Sequence, residues 1–304
     1  MKILKNFIEL FFLVLFLCFV YINKEIIIAF AFEKLIYNDA FTIEVQNPYF
    51  NNESYNFVEV TDDFVAKEKQ DLLDIFYTGI NSGYDEFFFY CHTTYEDCIY
   101  DLNNYINDTA YDNINIAILN NYIHPFNTFS TLHISSNSLG KVTVTIDKVY
   151  TEEEIDVINN KVDEIYTSII SDDMDIELKI KTIHDYIINN TTYDIDRAEF
   201  YTSNNFYLHE SNTAYGTLVE GYSICGGYTD AMYLFLEKLN VNHIKVSSEK
   251  HIWNYVEIDD IYYHLDLTWD DPVTSNGANM LQYTFMLITD EELKELDTGE
   301  HDYG

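Results

Sequence analysis

A single cysteine lies where a helix is predicted to begin, in the stretch GYSICGGYTDAM of residues 221–232. The backbone N–H groups at a helix N-terminus have no intrahelical partner, and the helix dipole is positive there, so both favour a thiolate. A cysteine that only fills space is expected on an apolar stripe instead. Cys225 is therefore a candidate nucleophile, and a base must be found near it.

The segment after the predicted cysteine helix has the pattern of a β-hairpin. Residues 251–258 (HIWNYVEI) and 261–268 (IYYHLDLT) are strand-like, and the two aspartates at 259–260 predict a two-residue turn. That turn places His251 and Asp266 on one face as diagonal neighbours, about 7–8 Å apart between backbones. A three-residue turn would break this parity, so the arrangement depends on the register.

A histidine oriented by an aspartate can take the proton of a cysteine and later return it to a leaving group. The pattern predicts Cys225 as the nucleophile, His251 as the base and Asp266 as the orienting acid. Taken singly, each has a structural interpretation: a buried thiol, a sheet histidine and an acid at a strand end. Their joint placement favours catalysis.

Neighbouring residues leave further alternatives open. His264 shares the predicted face and is a rival base, although it is two residues from the aspartate and more simply structural. Gly226 and Gly227 either keep the helix start open to a substrate, with Tyr222 and Tyr228 beside a cleft, or permit close packing of the helix. The two interpretations have nearly equal support.

The spacing of ligand-type residues predicts no metal ion and no cofactor. Structural zinc sites usually have closely paired ligands such as C-x2-C, and Cys91, His92 and Cys98 are a poor approximation of that pattern. No glycine-rich phosphate loop follows a predicted strand.

Composition limits the partners. The 304 residues include 16 basic and 52 acidic side chains, a net charge of -36, which repels nucleic acid and anionic lipid headgroups. The charge suits lysine-bearing partners, although a solvated acidic surface is the simpler interpretation. With 47% apolar residues the chain can form a large core.

The N-terminus indicates export. Lys2 and Lys5 precede an apolar run at 10–22, and a second apolar patch follows at 26–32. Residues 1–32 are predicted to be a signal peptide, with a small-x-small cleavage pattern at 29–31, or an uncleaved anchor that keeps the N-terminus inside. The rest would then be secreted or membrane-anchored outside the cytoplasm, where Cys91 and Cys98 could pair.

The remaining chain divides into two predicted regions. Residues 33–150 form a small α+β accessory region, with strand patterns at 41–45, 85–91, 131–135 and 141–146 and a helical pattern at 94–107. Residues 151–304 form the domain that carries the cysteine, with a core at about 174–290. Thr151 and Glu154 have capping-box spacing at the start of a long amphipathic helix.

Residues 215–248 and 251–272, with the motifs H-x-W-N and D-x-T-W, resemble the transglutaminase-like superfamily of cysteine enzymes, in particular its exported bacterial branch. The preceding KIKTIHDYIINNTTYD resembles the lead-in helix of the family, with Tyr193 as its tyrosine. Gly226 replaces a glutamate frequent in that branch, and Ile252 replaces an alanine.

This resemblance implies a papain-like α+β fold, in which the helix bearing Cys225 packs on an antiparallel sheet. It also implies His251 and Asp266 as the other catalytic residues, and a reaction at protein or peptide amides through a cysteine thioester, by acyl transfer or hydrolysis. The alternative is a non-catalytic binding module at the cell surface that keeps this fold.

Overall fold

The protein is described by a computed structural model at residues 2–37, 41–43, 47–55, 57–107, 116–204, 210–273, 280–296 and 299–302. The helices in these ranges are α1 Lys2–Ile22, α2 Lys24–Ala31, α3 Lys69–Asn81, α4 Cys98–Asn107, α5 Glu152–Ile169, α6 Ile176–Asn190, α7 Ile195–Asn204, α8 Cys225–Lys238, α9 Leu267–Asp270 and α10 Asp290–Leu296. The strands are β1 Val65–Ala66, β2 Glu86–Cys91, β3 Phe129–Ser136, β4 Lys141–Lys148, β5 Thr192–Tyr193, β6 Tyr222–Ser223, β7 His243–Ser247, β8 Ile252–Ile258, β9 Ile261–Leu265 and β10 Met286–Ile288.

The apolar N-terminal residues form α1 and α2. Among the described residues no single helix is both long and apolar enough to cross a membrane, but Asn6–Ile22 and Ile26–Ile36, bent by 79°, pass that test together. Many apolar side chains of α1 are exposed. The signal peptide or anchor predicted for residues 1–32 stays a prediction.

A four-stranded sheet in the order β1-β2-β4-β3 lies in the N-terminal half. Its three long strands confirm the strand patterns predicted at 85–91, 131–135 and 141–146. A strand was also predicted at 41–45, and this is wrong for residues 41–43, which lie outside any strand; residues 44–45 are not described. Phe41 instead packs its ring among the aromatic side chains of this sheet.

A disulfide joins Cys91, the last residue of β2, to Cys98, the first residue of α4. The helix predicted at 94–107 therefore begins four residues later than the sequence pattern suggested. The bond ties the sheet to α4, and Cys91, Cys98 and Leu102 are buried in the same core.

Two amphipathic helices lead into the C-terminal half. The predicted capping box is present at the start of α5, because Thr151 Oγ1 accepts from the N–H of Glu154 at 3.3 Å while Glu154 Oε2 accepts from the N–H of Thr151 at 2.8 Å. Asp175 caps α6 through the N–H of Leu178 at 2.8 Å. Both helices bury isoleucines in the core that surrounds α8.

The second sheet is antiparallel, in the order β10-β9-β8-β7, and α8 packs on it. This arrangement confirms the predicted α+β fold. The turn between β8 and β9 has two residues, Asp259 and Asp260, with φ of 52° and 63°, and Ile258 pairs with Ile261. The predicted hairpin register is therefore confirmed.

One boundary of the hairpin was predicted wrongly. The strand predicted at 261–268 ends at Leu265, because the carboxylate of Asp266 accepts hydrogen bonds from the N–H groups of Thr268 and Trp269 and so begins helix α9. Asp266 is thus the N-cap of a helix as well as the residue next to the strand end.

The capping box gives a stability prediction. Thr151→Ala removes the cap oxygen, so the free energy of unfolding should fall by about 1 kcal/mol in urea denaturation. Thr167→Ala is the matched control, because Thr167 is exposed inside the same helix and alanine has the higher helix propensity. Equal stability of the two variants would contradict the prediction.

Candidate active site

Cys225 is the first residue of α8, and the surrounding chain fixes where that helix begins. The N–H of Ile224 donates to the carbonyl of Ser211 at 2.7 Å. One turn into the helix, Thr229 Oγ1 lies 2.8 Å from the carbonyl oxygen of Cys225 and 3.0 Å from that of Ile252 in β8. This hydroxyl therefore links the start of the helix to the strand that follows His251.

His251 and Asp266 meet as the hairpin register predicted. His251 Nε2 lies 2.6 Å from Asp266 Oδ2, and both side chains are buried. The N–H of His251 donates to Ser248 Oγ at 3.1 Å, and the N–H of Asp266 donates to the carbonyl of Phe285 at 3.1 Å. Backbone contacts thus hold each residue just outside its strand.

Cys225 is half-buried and lies close enough to His251 to help raise the pKa of that imidazole. Because Nε2 of this imidazole faces Asp266, Nδ1 is the nitrogen left for the sulfur. The structure therefore brings Cys225 next to the hydrogen-bonded pair of His251 and Asp266. A thiol beside such a pair can transfer its proton to the imidazole. The catalytic roles of the three residues remain predictions.

The electrostatics of His251 and Asp266 favour an imidazolium next to a carboxylate. Burial opposes the charged form of His251, but the charge and hydrogen bond of Asp266, together with the nearby Cys225, outweigh it and raise the pKa of His251 to about 10. Burial also opposes ionisation of Asp266, yet His251 and His301 hold the pKa of Asp266 well below its usual range. Each group stabilises the charge of the other.

His301 is a member of the site that the sequence did not indicate. Its Nε2 lies 2.8 Å from Asp266 Oδ2, the same oxygen that binds His251. The three side chains offer ligand-type atoms within 4.8 Å of one another. Since both nitrogen–oxygen separations are hydrogen-bond lengths, shared protons account for the cluster.

His264, the rival base, has a different set of partners. The indole N–H of Trp253 donates to His264 Nδ1 at 2.9 Å, and His264 Nε2 lies 2.9 Å from Asp290 Oδ1. His264 thus supports Trp253, whose ring stacks on His251 at 5.6 Å between centroids. This is the structural role that the sequence favoured.

One expectation about the helix start needs correction, and one open alternative is decided. Tyr228 does not border a cleft, because it is buried and donates to Asp271. The glycines serve close packing: a Cβ on Gly226 would lie 2.2 Å from the side-chain oxygen of Asn212, and one on Gly227 would lie 2.5 Å from the carbonyl oxygen of Ser211. The segment at 211–212 covers this side of the helix start.

The tyrosine singled out by the family resemblance lies beside the site. Tyr193 of β5 pairs with Ser223 of β6, two residues before the cysteine. Burial, followed by the nearby Cys225, raises the pKa of Tyr193 to about 12. The parallel β5-β6 pair therefore brings the end of α6 next to the start of α8.

Comparison with protein families identifies the domain. Residues 160–289 match the family model of the transglutaminase-like domain, and they contain Cys225, His251 and Asp266. The chain therefore carries a transglutaminase-like domain, as the sequence motifs indicated. A comparison with curated proteins finds no match.

Two solved structures are similar to parts of the chain. One is the crystal structure of a TGase, with 15% identity, a TM-score of 0.34 and coverage of 49% of this chain and 46% of that protein. The other is a "Putative Cysteine Protease" from Cytophaga hutchinsonii, with 12% identity, a TM-score of 0.29 and coverage of 50% of this chain and 65% of that protein. The chain thus spans less than two thirds of either protein.

The buried pair of His251 and Asp266 predicts how the stability of the protein depends on pH. The pKa of His251 is raised to about 10, so its stabilisation should be complete below the ordinary value of about 6.5 and disappear as the pH rises through about 10. The unfolding free energy of the wild type should exceed that of His251→Gln by about 3 kcal/mol at pH 6, and this difference should shrink toward pH 10.

Urea denaturation at several pH values measures this difference. His133→Gln is the control, because His133 also pairs with an aspartate, Asp147, but is exposed to solvent, which screens the interaction. A wild-type advantage over His251→Gln that stayed constant between pH 6 and 10 would refute the assignment.

Proposed function

We propose that this protein is a cysteine-dependent enzyme that acts on protein or peptide amides through a thioester on Cys225. His251 serves as the general base and acid. Asp266 orients the imidazole and stabilises its protonated form. The observation that carries the proposal is the 2.6 Å contact between His251 Nε2 and the buried carboxylate of Asp266, next to Cys225 at the N-terminus of α8.

The proposed reaction starts from the thiolate–imidazolium pair that forms when the thiol proton of Cys225 passes to His251. The sulfur then attacks the carbonyl carbon of the amide, forming a C–S bond and an oxyanion that the N–H of Cys225 can bind, since the first N–H groups of a helix have no intrahelical partner. The imidazolium gives its proton to the nitrogen as the C–N bond breaks, which releases ammonia or an amine and leaves a thioester.

The second half of the reaction resolves the thioester. Water or a primary amine attacks the carbonyl carbon, His251 accepts its proton, and the C–S bond breaks to restore the starting thiolate. Attack by water gives hydrolysis, whereas attack by an amine such as a lysine side chain gives transfer. The strongly acidic surface favours approach of cationic amines.

We also propose that the domain works outside the cytoplasm. Two features support this: the apolar α1 behind Lys2 and Lys5, and the disulfide between Cys91 and Cys98, a bond that persists in oxidising compartments. Any membrane attachment would run through residues 1–32, and the net charge of -36 argues against nucleic acid as a partner.

Mass spectrometry of a glutamine peptide incubated with a primary amine tests the reaction. Amine incorporation, deamidation and backbone cleavage give products of different mass, so one experiment separates transferase from hydrolase. We expect Cys225→Ala to abolish product formation and Cys18→Ala to leave it unchanged, since Cys18 lies in α1. If Cys225→Ala instead left every binding property and phenotype of the wild type unchanged, the result would support the non-catalytic binding module over the enzyme.

Alkylation tests the nucleophile without a substrate. Iodoacetamide labelling at Cys225 in the full chain, quantified on its own peptide, should stay fast below about pH 6 because the imidazolium stabilises the thiolate. His251→Ala should lose this acidic labelling, and His133→Ala should keep it. Labelling that rises only near pH 8.5 in all three proteins would mark an ordinary thiol and exclude the enzyme.

A further inference from the structure

His301 occupies an aromatic box next to the catalytic candidates. Its ring stacks on Phe285 at 5.1 Å with an interplanar angle of 10°, and it contacts the edges of Trp253 at 4.8 Å and Trp269 at 5.0 Å. Only 7% of His301 is exposed. A buried imidazole in apolar surroundings is costly unless its polar atoms are bonded, so the bond to Asp266 matters for the site.

The carboxylate of Asp266 receives four donors. They are His251 Nε2 at 2.6 Å and His301 Nε2 at 2.8 Å on Oδ2, and the N–H groups of Thr268 at 2.9 Å and Trp269 at 3.3 Å on Oδ1. A carboxylate has about four lone-pair sites, so this set fills them. With both oxygens held from two sides, the carboxylate cannot rotate without losing bonds.

The box by itself does not require a histidine. Phenylalanine would fill the same space against Phe285 and the two tryptophans, and it would avoid the cost of a buried imidazole. What the imidazole adds is one N–H aimed at Oδ2 of Asp266. A neutral imidazole with its proton on Nε2 and an imidazolium can both provide that donor.

We propose that His301 is a positioning residue for the reaction proposed above, on which this inference rests: its Nε2–H fixes Asp266 Oδ2 so that the carboxylate holds His251 in line with Cys225. His301 touches neither the thiol nor the amide in this proposal. It acts through the carboxylate, and its segment at 299–302 thereby becomes part of the active site.

The contacts of Asp266 predict how loss of the His301 donor changes the site. Without the His301 donor, Oδ2 keeps His251 as its single side-chain donor, and the pKa of Asp266 moves up toward its ordinary value. A less constrained carboxylate holds the imidazole less firmly, so the imidazolium–thiolate pair is less populated in acid. At alkaline pH the thiol ionises without help, and the effect disappears.

Other ionisable groups also face this carboxylate and its partners. They are Cys225 from α8, His251 from β8, His264 from β9, Tyr193 from β5, Asp194 after β5, Asp290 from α10 and Glu300 beside His301. A variant at position 301 leaves all of these groups in place, so a changed labelling rate reports a change at position 301 itself.

Two substitutions separate the donor from the packing. His301→Phe keeps an aromatic ring in the box but has no N–H, whereas His301→Gln loses the ring but its amide nitrogen can still donate to Oδ2. His133→Phe is the matched control, because His133 also bonds an aspartate through Nε2, at 2.9 Å, on the exposed surface of the other sheet. Thermal unfolding first establishes that all variants are folded.

The measurement is the iodoacetamide labelling rate at Cys225 in the full chain between pH 4.5 and 9, with EDTA present. We expect His301→Phe to label about tenfold more slowly than the wild type at pH 5, the size of one charged hydrogen bond, and at the wild-type rate at pH 9. His301→Gln should recover most of the rate at pH 5, and His133→Phe should match the wild type. With an amide substrate, His301→Phe should lower kcat and leave KM unchanged.

Three results would overturn the inference. Fast acidic labelling in the wild type and in His301→Phe alike would remove the role of His301 and leave the proposed function standing. A loss in His301→Gln that His301→Phe does not share would show that residue 301 serves packing only. A wild type that labels as an ordinary thiol would overturn the proposed function together with this inference.

A metal ion is the other occupant that the cluster of His251, Asp266 and His301 could accept. Calorimetric titration of the wild type and of His301→Gln with Zn²⁺ alone tests this. Stoichiometric, tight binding that His301→Gln abolishes would make His301 a ligand and overturn the positioning role. Absence of binding at micromolar Zn²⁺ supports the hydrogen-bonded arrangement.

Discussion

A buried carboxylate is the constraint on which the rest of this site depends. Asp266 is 2% exposed, and an ionised group so far from water is stable only when hydrogen bonds and a countercharge replace its hydration. The required donors come from three parts of the chain: the position just before β8 supplies His251, the first turn of α9 supplies two N–H groups, and the segment at 299–302 supplies His301. The fold must bring these three parts of the chain together before the buried carboxylate of Asp266 can stay ionised.

The β8–β9 hairpin brings His251 and Asp266 together, because its two-residue turn sets the register of the two strands. Asp259 and Asp260 both adopt positive φ, which closes the turn in two residues and fixes which side chains share a face. A shift by one residue would turn His251 away from Asp266. The side chain of Asn254, which donates to the carbonyl of Thr229 at 3.1 Å, then ties the same strand to the helix of Cys225.

The sequence predicted these features where neighbours along the chain determine them. The hairpin register, the capping box of Thr151 and the start of the cysteine helix all follow from residues a few positions apart. His301 could not be predicted, because its contact with Asp266 joins positions 35 residues apart and depends on where the segment 299–302 packs. The packing of Gly226 and Gly227 against 211–212 is equally non-local, and a glycine pattern alone fits both interpretations.

The net charge of the whole protein and the hydrogen bonds of this site act over different distances. A net charge of -36 favours every cation and disfavours a thiolate, but at physiological salt its field is screened beyond about 8 Å. The contacts among His251, Asp266 and His301 lie at hydrogen-bond distances inside a buried cluster, where screening is weak. Local donors therefore determine the ionisation of the site, whereas the net charge of the protein acts on charged molecules that approach from solvent.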